Sequence, residues 1–232
     1  IKAIHATGRP VVVLINSGRP LIFNWTADHV PAIVYTWWLG HQAGNAIADV
    51  LFGDYNPSGK LPATFPRTEG QIPIYYNYFN TGRPAQNEND VNYVSAYIDL
   101  QNSPKYAFGY GLSYTSFEYS NLKISRTAIT KKESIKVSFT LKNTGSMAGE
   151  EVAQLYIRDK VGSIVRPVKE LKDFSKQMLQ PGESKEISFI INAEKLSFFN
   201  ADLKWGCEPG EFELMIGAAS NDIKLKADFS LK

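Results

Sequence analysis

An α/β segment of parallel-type strands and helices, followed by an all-β two-layer sandwich, is the architecture that this 232-residue sequence predicts, on three observations. An unbroken apolar run near the start suits a strand covered on both faces in a parallel sheet, and a second run follows it. A strict period of two takes over after Phe117. Between these regions lies a stretch dense in Pro, Gly, Asn and Tyr with little sustained periodicity.

The first residues read as the tail of a helix feeding a buried strand at Val11 to Ile15, so the true N-terminus, with any export signal, is expected upstream. A second strand, Ala32 to Trp38, follows a helical turn around Thr26 to His29. Gly44 to Phe52 then sets Ala46, Ile47, Val50 and Leu51 at helical spacing, and Gly53 stands where a helix stop belongs. Two strands and parts of two helices cannot close a sheet. Residues 1–65 are therefore expected to be the C-terminal portion of a larger α/β domain that needs more chain or a partner.

From Asn56 to Tyr114 the chain runs through NPSGKLP, GQIPIYYN, NTGRP and FGYGLSY. Long segments without periodicity are uncommon in compact domains unless they are functional or strap two domains together. Residues 66–116 are read as a strap, because their aromatic side chains would otherwise be exposed. In residues 117–232 the alternation is explicit: Ile135, Val137, Phe139 and Leu141; Ala153, Leu155 and Ile157; Ile187, Phe189 and Ile191; Phe212, Leu214 and Ile216; then Ile223, Leu225, Ala227 and Phe229. Turn signals at NTGS, QPGES and EPGE separate these runs, which predicts a β-sandwich of about seven strands.

Composition narrows the function classes. A formal charge of +2 comes from 25 basic and 23 acidic residues spread along the chain, with no run able to grip a phosphate backbone, so nucleic acid is not an expected partner. No stretch approaches the ~20 apolar residues of a membrane helix, so no membrane partner is expected either. The single cysteine, Cys207, excludes an intrachain disulfide, and three widely spaced histidines form no zinc pattern, so neither metal nor cofactor is indicated. An aromatic content of 12% suits carbohydrate handling and equally suits a well-packed core.

The segment from Gly44 to Pro84, GNAIADVLFGDYNPSGKLPATFPRTEGQIPIYYNYFNTGRP, closely resembles the C-terminal core of bacterial β-glucosidases of the periplasmic type in glycoside hydrolase family 3. VVVLINSGRP (Val11 to Pro20) and YAFGYGLSYTSFEYSNLKIS (Tyr106 to Ser125) extend the likeness. VAQLYIRD, RPVKELKDF, LQPGES and EPGEFELMIG resemble the fibronectin type III-like (immunoglobulin-like) domain that follows that core. The resemblance implies a retaining hydrolase of terminal β-linked glucose, sometimes xylose, built from a TIM-like barrel, an α/β sandwich and this β-sandwich. It also implies a periplasmic or secreted location, an oligosaccharide substrate, and the barrel with the remainder of the α/β domain as partners within the same protein.

In that family the nucleophile is an Asp of the barrel, so the resemblance leaves no residue here for that role. One branch takes its acid/base from a Glu in a G-x-E-G-G loop before the N-A-x-A-D helix. This sequence has Gly40-His41-Gln42-Ala43-Gly44 at that point. A glutamine amide donates no proton at neutral pH, so the general acid is expected upstream, with an inactive homologue as the alternative.

Trp37, Trp38, His41 and Gln42 fall where a strand gives way to a helix, at the carboxyl end of a parallel sheet, where ligand crevices form. They are the candidate substrate-binding residues, with a Trp face against a pyranose ring; a packed strand end with a satisfied histidine is the competing reading. Gly18, Arg19 and Pro20 are read as a tight turn rather than a phosphate cradle. Asp49, Asp54, Glu69 and Asp99 are read as salt-bridge, cap or turn residues, since spacing alone carries no catalytic geometry. The alternative function, from a different class, is a non-catalytic carbohydrate-binding or structural module whose sandwich docks a partner or mediates homodimerisation.

Overall fold

The computed structural model describes residues 1–232. Its α/β segment comprises helix α1 (Lys2–His5), strand β1 (Val12–Ile15), helix α2 (Asn24–His29), strand β2 (Ala32–Tyr35) and helix α3 (Ala43–Phe52). The two strands pair in parallel, with Val12 opposite Ala32 and Ile15 opposite Tyr35. α3 ends where the sequence placed its stop: Gly53 adopts the left-handed conformation at φ 86°, which glycine enters without a Cβ penalty.

Two features differ from expectation. β2 stops at Tyr35 rather than Trp38, because Trp37 takes a positive φ of 54° that no strand accommodates. The sheet is also not covered on both faces within this chain: Val12 and Leu14 remain 51% and 43% exposed, and α3 buries no residue.

The β-sandwich begins at β3 (Phe117–Ile124) and continues through β4 (Ala128–Ile129), β5 (Ser134–Asn143), β6 (Gly149–Asp159), β7 (Glu170–Leu179) and β8 (Ser184–Asn192). After helix α4 (Ala193–Leu196) come the short β9 (Phe198–Phe199) and β10 (Trp205–Gly206), then β11 (Gly210–Ala219) and β12 (Asp222–Leu231). Seven of these strands are long. They form a five-stranded sheet in the order β4-β12-β11-β6-β7 and a three-stranded sheet in the order β3-β5-β8, while β9 and β10 pair separately.

Period-two patterning is what closes this core. Ile135, Val137, Phe139 and Leu141 of β5 all point inward, as do Leu155 and Ile157 of β6 and Leu214 and Ile216 of β11. Twenty side chains form one buried cluster, with Phe212 and Phe229 paired across β11 and β12 at a ring separation of 5.2 Å. Asn143, buried at the end of β5, holds the turns: its amide donates to Met147 O (2.8 Å) and Leu179 O (3.1 Å) and its oxygen accepts from Thr115 Oγ1 (2.7 Å) and Gly145 N (3.0 Å).

The NPSGKLP and FGYGLSY motifs form the joint between the two regions. Asn56 donates to Ala148 O (2.9 Å) and accepts from Ser113 Oγ (2.9 Å) and Tyr114 N (2.8 Å); Ser58 donates to Glu150 (3.0 Å). Lys60 reaches the buried Glu151 carboxylate at 3.3 Å, which also accepts from Tyr119 Oη at 2.8 Å. Glycine is required at two points of close approach. A Cβ on Gly109, at φ 80°, would lie 2.2 Å from Gln154 Oε1, and one on Gly111 would lie 2.2 Å from Gly59 O.

Candidate functional site

The carboxyl ends of β1 and β2 release two loops side by side. Thr36 ties them, its N–H and hydroxyl both reaching Ile15 O (2.9 and 3.1 Å). Tyr35 Oη donates to Arg19 O, and Ser17 Oγ donates to the same carbonyl at 3.1 Å. Ser17 to Pro20 is thus a turn fixed by its own hydrogen bonds.

The four candidate residues follow β2 on a single segment. Trp37 sits in the left-handed region, which costs a bulky residue about 1 kcal/mol or more, so the surrounding packing must hold it. Its ring turns inward, edge-on to Tyr35 (4.9 Å) and Phe65 (6.0 Å). Trp38 faces outward and is 79% exposed, its indole lying over Gly18; a Cβ there would come within 3.1 Å of the ring. His41 and Gln42 are exposed, and Gln42 occupies the N-cap position of α3 without capping it, its Oε1 instead accepting from Asn45 Nδ2. Trp38, His41 and Gln42 therefore lie on the open surface at this edge, and Trp37 is packed beneath them.

Sequence reasoning missed the support. Phe23, Tyr35, Phe65 and Tyr106 form a connected aromatic cluster with ring separations of 5.0 to 6.3 Å, and Phe65 is almost fully buried within it. Its members lie as far apart in sequence as Phe23 and Tyr106, so no local periodicity signals them.

The carboxylates offer little acid–base chemistry at this edge. Residues 1–65 contain three, Asp28, Asp49 and Asp54. Asp28 accepts from Lys105, and that bond holds its carboxyl below the ordinary range, so it stays ionised. Asp159 is shifted the other way, upward by burial, but it lies inside the sandwich 3.5 Å from the Arg166 guanidinium, which itself covers the Phe198 ring. No group of three or more His, Cys, Asp or Glu side chains is arranged to hold a metal ion.

Comparison with known proteins is consistent along the chain. Residues 1–114 match the Glycosyl hydrolase family 3 C-terminal domain, and residues 151–220 match the Fibronectin type III-like domain. The chain is 48% identical to the periplasmic beta-glucosidase of Salmonella typhimurium over 97% of its own length and 29% of that protein's. It is 44% identical to a putative beta-xylosidase of Formosa agariphila, over its full length and again 29% of the relative. Among solved structures, a beta-glucosidase from Listeria innocua in complex with glucose superposes with a TM-score of 0.93 at 43% identity, covering 99% of this chain and 32% of that one. The chain thus spans about three tenths of the length of these relatives. It belongs to glycoside hydrolase family 3, joining that family's C-terminal α/β domain to a fibronectin type III-like sandwich.

Proposed function

We propose that the protein to which this chain contributes is a retaining β-glycosidase that removes terminal β-linked glucose, or xylose, from oligosaccharides or glycosides. The observation that carries the reading is the likeness of the whole chain to proteins named β-glucosidase and β-xylosidase. Retaining hydrolysis needs a nucleophilic carboxylate and an acid/base carboxyl about 5 to 5.5 Å apart. Within residues 1–65, Asp28 is committed to Lys105, and at the loop where one branch of the family carries a Glu this chain has Gln42, whose amide can orient a hydroxyl but cannot protonate a leaving group.

The division of labour that follows assigns the carboxylate pair to other parts of the protein, a TIM-like barrel and the remainder of the α/β domain. This chain supplies a wall and a brace. In that role the exposed Trp38 indole packs on a pyranose face, His41 and Gln42 meet its hydroxyls, and Trp37, locked against Tyr35 and Phe65, sets the angle of the loop. The open face of β1, with Val12 and Leu14, receives a covering layer from the remainder of the α/β domain. The periplasmic relative supports a periplasmic location.

Release of p-nitrophenol from an aryl β-glucoside tests this. The full-length gene product is expected to turn over and the 232-residue chain alone is not. Trp38→Ala in the full-length protein is expected to lower kcat/KM roughly tenfold or more, about 1.4 kcal/mol of transition-state stabilisation. Unchanged kinetics for Trp37→Ala, Trp38→Ala, His41→Ala and Gln42→Ala alike would sink the wall assignment, and turnover by the chain alone would sink the division of labour.

A further inference from the structure

The connecting segment encloses a pocket of about 550 Å³ together with Lys169, Ser220 and Asn221 of the sandwich, within the size range of small-molecule sites. None of Trp37, Trp38, His41 or Gln42 lines it. The pocket is held open by the fold. Val168 N donates to Tyr78 O (3.0 Å) and Leu171 N to Tyr76 Oη (3.1 Å), while the Tyr76 ring stacks on Phe108 at 4.3 Å and meets Tyr156 edge-on at 5.8 Å.

The chemistry of the lining is one-sided. Its charged side chains are Glu88 and Lys169, of opposite sign, and each is held by backbone: Glu88 accepts from Asn102 N (2.6 Å) and Ser103 N (2.9 Å), and Lys169 donates to Ser220 O (2.7 Å). The other polar groups of the lining are neutral. The amides of Asn80 and Asn221 and the hydroxyls of Tyr75, Tyr78 and Tyr97 form no hydrogen bond within the chain, and the three tyrosines keep 62%, 57% and 39% of their surface exposed.

With one carboxylate and one ammonium the lining carries no net charge, so a charged ligand would meet a like charge as well as an opposite one while losing its water, and a wholly apolar one would leave the amides unpaired. A ring with an apolar CH face and equatorial hydroxyls meets both requirements, since it can lie on a tyrosine while bonding to amides. We propose that this pocket binds a short neutral oligosaccharide, a function that does not depend on the reaction proposed above.

Titration of the full 232-residue chain with cellotriose, laminaritriose and maltotriose, followed by calorimetry and saturation-transfer NMR, tests the proposal. Saturable binding of at least one trisaccharide is expected. It should weaken roughly tenfold in Tyr78→Ala/Tyr97→Ala and measurably in Asn221→Ala, with the thermal melt of each variant unmoved. No saturable binding of any of the three sugars would overturn the proposal. So would binding that survives both pocket variants, or a dimer of this chain that the tyrosine substitutions dissociate, because the pocket would then be filled by a second copy. Absence of aryl glucoside hydrolysis by the full-length protein, with trisaccharide binding intact, would count only against the catalytic reading.

Discussion

The β-sandwich and the α/β segment use the same kinds of apolar residue to opposite effect. In the sandwich, strand after strand finds a facing strand in the other sheet, and side chains such as Ile135, Leu155 and Leu214 lose all contact with solvent. In the α/β segment the two strands pair as well as any, yet Val12, Leu14 and Phe52 stay open and no residue of α3 is buried. Strand formation is a matter of local pattern and backbone pairing, whereas burial requires a second layer. The sandwich carries its second layer in its own sequence, and the α/β segment does not.

That contrast can be broken or sharpened by substitution. Phe139→Ala, in the fully buried row of β5, should cost about 3 to 5 kcal/mol, measured as a shifted urea midpoint. A loss below about 1 kcal/mol would mean that the sandwich core is far looser than its burial implies. Lys60→Met strips the buried Glu151 carboxylate of its counter-ion at the joint and should cost about 3 kcal/mol, with faster proteolysis of residues 1–110 than of residues 117–232. Equal rates of cleavage in the two regions would show that the joint does not hold the α/β segment in place. Phe52→Ser, at a position 84% exposed, should change the stability of this chain by no more than about 0.5 kcal/mol. The same change in the full-length protein should cost more if the open face is covered there, and an identical small effect in both would argue that it is not.

Much of the sandwich was legible because its signal is local. The β5, β6, β8, β11 and β12 alternations name their inward residues directly, and the glycine at the end of α3 marks its stop. β7 was not legible as a strand. ELKDFSKQML lies at the edge of its sheet, where charged residues guard an unpaired backbone and the apolar alternation is diluted. At the candidate site, the strand-to-helix position of Trp37, Trp38, His41 and Gln42 could be read from pattern, but the inward turn of Trp37 and the outward face of Trp38 could not. Both depend on a positive φ at one residue and on Phe65, which is remote in sequence.

The sequence by itself determined most of the strands and helices, the apolar face of five of the sandwich strands, and, through its motifs, the family. Tertiary structure alone decided which apolar faces are covered, that Lys60 meets Glu151 across 91 positions, why Gly109 and Gly111 admit no side chain, and that tyrosines of the connecting segment surround a pocket floored by the sandwich. The physical reason is range. Periodicity and turn chemistry act over a few residues, whereas coverage, ion pairing and cavities arise from which distant surfaces meet, and no local pattern encodes that meeting.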